Sequence, residues 1–171
     1  MVFLNFILPR LADRVIVSCG LSYRVKGRLV AFAQKYIRSH RRGTLGRNKK
    51  HLIRKYAGEG VSASALEIFA DVLDSFVKTR NFKFICEFEE RMRQILDERG
   101  IPPLTRLPYY GFANKAVRLL MTYAEPHATR AVEITARYFA EVYGLDEETL
   151  REIAQLINEY LWLIEWIGGR V

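Results

Sequence analysis

An all-α fold is the first expectation, and three observations carry it. Apolar residues recur at helical spacing through most of the 171-residue chain. No segment alternates apolar and polar residues between turn signals, as a half-buried strand does. Most glycines and prolines fall between the periodic stretches, where they end helices. Half of the residues are apolar, enough to fill a core. The architecture expected is a basic helical N-terminal arm, residues 1–57, followed by an antiparallel helical bundle, residues 58–171, for subunit packing.

The elements follow in order. Residues 1–8 are strongly apolar and are stopped by Pro9 and Arg10. No basic stretch precedes them, which argues against a signal peptide. They read as a short docking segment against another subunit, with a buried terminus as the alternative. Residues 21–42 read as one long helix, with Gly27 tolerable. On a 100° wheel Arg24, Arg28, Lys35, Arg38 and Arg42 share a narrow stripe, and Val25, Leu29, Phe32 and Tyr36 share the adjoining apolar one. The cationic row runs ~27 Å at 1.5 Å per residue. Gly43-Thr44-Leu45-Gly46 breaks the helix, and a second basic helix spans about 47–57, with Arg47, Lys50 and Arg54 on one side.

Gly58-Glu59-Gly60 reads as a hinge. Ser64 and Glu67 form a capping box that starts a helix to about residue 78. A further helix covers 82–99, closed by Gly100 and by Pro102-Pro103. The last third reads as three helices, 109–124, 126–143 and 146–167, with Gly144 ending the second, Asp146 capping the third and Gly168-Gly169 ending it. Short connections make neighbours antiparallel. The aromatic end from Tyr160 to Ile167 is apolar on most sides, which fits core packing first and a subunit or lipid contact second.

Charge separates the two parts. Residues 1–56 hold 14 Lys+Arg against one acid, Asp13, for a net of +13, whereas residues 57–171 hold 13 against 18, for −5. Between Asp13 and Glu59 there is no acid at all. Such a block repels itself unless an anion neutralises it. A polyphosphate chain is the first candidate, and an anionic membrane surface the second. The residues expected to contact DNA phosphates are Arg24, Lys26, Arg28, Lys35, Arg38, Arg41, Arg42, Arg47, Lys49, Lys50, Arg54 and Lys55. A helix-turn-helix reader is disfavoured, because almost every polar position here is Arg or Lys and the only amides are Gln34 and Asn48. That composition suits the backbone rather than base edges.

Catalytic and metal-binding motifs are missing from the sequence. His40, His51 and His127 stand at no metal-ligand spacing with each other or with Cys19 and Cys86, and no phosphate-binding glycine loop occurs. The carboxylate pairs, such as Glu87 with Glu90, lie at solvated helix spacing. The expectation is a non-enzymatic protein with no metal and no cofactor.

The stretch Tyr109-Tyr110-Gly111-Phe112, with Lys115 and Arg118-Leu119-Leu120, has a familiar order. So does Arg137-Tyr138-Phe139 with Gly144, Glu147 and Leu150. Over roughly residues 105–160, and with the basic arm before them, they resemble the major coat proteins of filamentous double-stranded DNA viruses of hyperthermophilic archaea, the rudivirus, lipothrixvirus and tristromavirus group. The resemblance implies a virion protein, assembled in the host cytoplasm. It also implies a homodimer, or a heterodimer with a paralogous coat protein, whose basic arms wrap A-form DNA while the bundles pack into a helical polymer. In enveloped members a lipid layer surrounds the filament, and the aromatic C-terminal segment favours such a member. Glutamine occurs only at 34, 94 and 155, in keeping with a hyperthermophilic source. The function expected is therefore a coat protein that binds double-stranded DNA without sequence preference. The alternatives are a cellular or plasmid-borne DNA-binding regulator or nucleoid protein and, more weakly, a peripheral membrane protein.

Overall fold

The computed structural model describes residues 2–170. Among them the chain forms nine α-helices, two single-turn 3-10 segments and no β-strand. The fold is all-α. It divides into two compact units, Asn5–Lys83 and Met1–Leu4 with Phe84–Val171. The boundary expected at 57/58 lies inside the first of these.

The first unit contains most of α1 (Leu4–Cys19), then α2 (Lys26–Arg41), α3 (Leu45–Tyr56) and α4 (Ala63–Val77). Pro9 does not stop α1 but lies inside it. A proline in a helix interior costs about 3 kcal/mol. Each fully buried large apolar side chain returns about 1.5–3 kcal/mol, and Phe3, Leu4, Ile7, Leu8, Leu11 and Ile16 are all buried. The apolar N-terminal residues are thus core within this chain. The helix expected over 21–42 is broken at its start. Ser22 accepts from the Arg24 N–H at 3.2 Å, and Tyr23–Val25 form a 3-10 turn before α2 begins.

α2 buries Leu29, Phe32, Ala33, Tyr36 and Ile37, and α4 buries Leu66, Phe69, Ala70, Leu73 and Phe76. Both sets recur at three- and four-residue spacing, so each helix offers one apolar face. Phe32 is the centre of this core. Its ring lies 5.7 Å from Tyr36, 5.9 Å from Tyr56 and 5.9 Å from Phe69. The Tyr36 hydroxyl donates to Asp74 Oδ1 at 2.7 Å. Burial first, and the Asp74 hydrogen bond second, hold that phenol protonated far above the ordinary tyrosine range. α4 is capped by Ser62, which accepts from the Ala65 N–H at 3.1 Å, two residues before the expected Ser64. Gly58-Glu59-Gly60 is a tight turn in which Gly58 and Val61 exchange backbone hydrogen bonds of 2.7 and 3.1 Å. All three turn residues have positive φ, which two glycines supply at little cost. This turn folds α3 back so that α4 packs on both α2 and α3.

The second unit takes the rest of α5 (Arg80–Glu98), then α6 (Leu107–Thr122), α7 (His127–Tyr143), α8 (Glu147–Asn158) and α9 (Leu161–Arg170). α6, α7 and α8 pack against each other, and α9 packs on α6. The short connections between consecutive contacting helices make them antiparallel. The expected single helix 146–167 is two, parted at Glu159–Tyr160, and the second continues past Gly168 to Arg170. The break seats the Tyr160 ring 5.4 Å from Phe88 and 6.4 Å from Phe3, and its hydroxyl donates to Glu87 Oε1 at 2.9 Å. Leu163, Ile164 and Ile167 are buried behind it, so most of the aromatic end is core. Gly144, at φ 64°, ends α7 in the left-handed region, and Asp146 caps α8 by accepting from the Thr149 N–H at 3.1 Å. Among the described residues no helix is long and apolar enough to cross a membrane.

Candidate nucleic-acid interface

The acid-free block folds into α2, α3 and the turn between them. Because α2 turns its apolar arc onto α4, its opposite arc carries Lys35, Arg38 and Arg42 outward, and all three are exposed. The chain then reverses at Gly43, φ 69°, where a side chain would be strained. Thr44 follows, its N–H bonded to the Ser39 carbonyl at 2.9 Å. α3 returns alongside and presents Asn48, His51 and Lys55 toward the same space. The result is a groove of about 270 Å³ lined by Lys35, Arg38, Ser39, Arg42, Thr44, Asn48, His51, Leu52 and Lys55.

Four formal positive charges converge there, and no carboxylate lines the groove. None of the four cations makes an ion pair among the described residues. Lys55 alone has a local partner, with Nζ 5.6 Å from the centre of the Tyr56 ring. Thr44, on the groove wall, is also the N-cap of α3, so the positive end of that helix dipole adds to the field. The polar floor is tied to itself. The Asn48 side-chain amide donates to Thr44 Oγ1 at 3.2 Å and to Ser39 Oγ at 3.4 Å.

Four of the twelve expected phosphate contacts therefore meet in one place. Arg47, Lys50 and Arg54 lie on the adjoining face of α3, and all are exposed. Arg41 is exposed near the C-terminus of α2, Lys49 is half-buried on α3, and Arg24 is exposed on the 3-10 turn. Lys26 and Arg28 are engaged within the fold instead. Lys26 pairs with Asp13 at 2.8 Å. Arg28 Nε donates to the Tyr56 carbonyl at 2.6 Å, and Nη2 donates to the carbonyls of Lys55 at 3.2 Å and Ala57 at 3.4 Å. These are orphan carbonyls at the end of α3, so Arg28 is its C-terminal cap. Glu59 stands 3.6 Å from the same guanidinium. The two acids that border the basic block thus each neutralise one of its cations.

His51, Ser39 and Thr44 line the groove but were outside the sequence-derived set. His51 had a legible signal: Asn48, His51 and Lys55 stand at i, i+3 and i+7, one helix face. Ser39 and Thr44 had none, since only the reversal of the chain brings them in.

A larger cavity, about 380 Å³, lies in the second unit among α6, α7 and α8, with Leu120, Val132 and Ile157 among its walls. Its rim carries both signs, and Arg151 and Glu147, one turn apart on α8, pair with each other at 2.9 Å. It offers a bound anion no excess of charge. No cluster of three or more potential metal ligands occurs among the described residues. No family model, no curated protein and no solved structure matches the chain.

Proposed function

We propose that this chain is a structural protein that coats double-stranded DNA through phosphate contacts, without reading its sequence, and assembles into a helical nucleocapsid filament. The observation that carries the reading is the convergence of Lys35, Arg38, Arg42 and Lys55 on one groove that contains no acid. Arg47, Lys50 and Arg54 extend the same field along α3. A second feature supports binding without base readout. The one amide in the groove, Asn48, spends its donors on Ser39 and Thr44, whereas adenine recognition needs a free bidentate amide.

On this reading DNA lies against the α2–α3 face of a folded unit rather than inside an extended arm. The virion setting, the A-form of the DNA, an archaeal viral source and a partner that is an identical or paralogous coat protein come from the resemblance of residues 105–160. So does the outward placement of the bundle toward neighbouring subunits or an envelope.

The test is a salt titration of binding to random-sequence duplex. About seven phosphate contacts give a slope of log K against log salt of about −6, at ~0.9 per contact. Electron microscopy of the mixture is expected to show continuous filaments of fixed diameter. A shallow slope overturns the reading. Isolated complexes with strong preference for one sequence point to the regulator instead, and vesicle binding that DNA does not compete away points to a membrane protein.

A further inference from the structure

Helix α7 carries an apolar stripe that nothing in the described chain covers. Ile134 is 60% exposed, Tyr138 55% and Val142 55%. They stand at i, i+4 and i+8, on the side of α7 away from its buried Ala128, Val132 and Ala136. Along one edge run Arg130, Glu133, Arg137 and Glu141, all exposed. None of these four makes an ion pair among the described residues.

The order of signs along that edge selects the occupant. Read from the N-terminus it is plus, minus, plus, minus. Its own reverse is minus, plus, minus, plus. A twofold axis perpendicular to two antiparallel helices keeps each edge on the same side and reverses its direction. It therefore sets Arg130 against Glu141 of the second copy and Glu133 against Arg137. A parallel pair would carry this edge to opposite sides of the two helices and leave its four charges unmatched by one another. The same centre, near Thr135 and Ala136, brings Ile134 beside the second copy's Tyr138 and Val142 beside its Ala131. One register thus satisfies both the charges and the apolar stripe.

We propose that α7 is the contact surface for a second copy of this chain, docked antiparallel across a twofold axis. The geometry stands on α7 alone. Only its role, as a contact between neighbouring subunits of a coat, rests on the function proposed above. The stripe is ~12 Å long, short of the roughly 800 Å² per partner that a stable dimer buries. The pair is accordingly weak in dilute protein and strengthens when copies share one polyanion.

Sedimentation equilibrium without nucleic acid, from about 10 μM to about 1 mM, tests the pairing. The full chain is expected to dimerise, and Ile134→Lys to abolish it with the helical circular-dichroism signal unchanged. Arg130→Glu and Glu141→Arg, each alone, oppose like charges twice and raise the dimer Kd by roughly 10-fold. Mixing these two variants restores pairing, because every facing pair is again opposite in sign, and the double variant restores it as well. A monomer throughout, an Ile134→Lys dimer, or no rescue on mixing overturns the proposal. The DNA salt slope of the same variants, read separately, stays unchanged if DNA binding resides on α2 and α3. Loss of that slope in wild-type protein sinks the coat reading and leaves the pairing to stand.

Discussion

The two compact units use the same charged residue types in opposite ways. Asn5–Lys83 holds 17 Lys+Arg against five Asp+Glu, a net of +12, and the rest of the chain holds 10 against 14, a net of −4. In the second unit, away from the exposed edge of α7, arginines are knitted to acids. Arg99 reaches Glu148 at 3.2 Å and Glu152 at 2.9 Å, Arg106 reaches Asp97 at 2.6 Å, Arg93 bridges Glu90 and Asp97, and Arg91 pairs with Glu159. In the first unit the groove cations face one another with no acid between them. A surface that serves only its own fold neutralises its charges locally. One that leaves four cations in a shared groove is destabilised by their repulsion and gains from an external anion. The Arg28 cap and the Lys26–Asp13 pair mark the edge of that rule, where the basic unit uses cations on itself.

The sharpest way to break this contrast is to remove charge from each unit in turn. The triple variant Lys35→Ala, Arg38→Ala, Arg42→Ala is expected to lower the DNA salt slope by about 3 and the affinity by on the order of 10²–10³-fold. Removing Arg93, Arg99 and Arg151 from the bundle is expected to leave the slope unchanged. Equal effects from both triples would erase the distinction.

The next largest effect is on stability. Phe32→Ala removes the ring at the centre of the basic unit and is expected to cost about 3–5 kcal/mol in denaturant unfolding. Arg28→Ala strips the carbonyls of α3 of their donor and is expected to cost about 1–2 kcal/mol, with a smaller change in salt slope than Lys35→Ala. If Arg28→Ala instead lowers the slope as much as Lys35→Ala and leaves stability intact, the guanidinium belongs to the DNA face.

Asp146→Ala in the bundle is expected to cost about 1 kcal/mol as a lost helix cap. The Thr149 hydroxyl, and then its N–H, hold the Asp146 carboxyl below its ordinary value of 3.8. A depressed carboxylate stabilises the fold above 3.8 and loses that contribution as pH falls through its folded value. The wild-type and Asp146→Ala unfolding curves should therefore converge on acidification below pH 3.8 and stay parallel above it. The smallest effect belongs to Arg93→Ala, which removes an exposed, solvent-screened pair and is expected to leave the denaturant midpoint nearly unchanged.

Most helices were legible because their periods are strong and their ends are marked, as Gly144 and Asp146 mark the passage from α7 to α8. The misreadings share a cause. Pro9 and the Glu159–Tyr160 break are places where burial of particular side chains overrides or interrupts a local pattern. No turn residue signals the second, and only the packing of Tyr160 on Phe88 explains it. At the site, the cationic character of α2 and α3 was open to reading, but which cations converge was not. Arg28 and Lys35 share a stripe on the wheel, yet one caps a helix and the other lines the groove.

What the sequence determined by itself is the all-α class, the helix periods and the acid-free run between Asp13 and Glu59. These are properties of spacing and composition, which a chain carries before it folds. Tertiary structure alone decided that Lys35, Arg38, Arg42 and Lys55 meet while Lys26 and Arg28 are spoken for. It did so because the reversal at Gly43 and the return of α3 set residues far apart in the chain within reach of one anion, and the local field of a groove depends on distance in space.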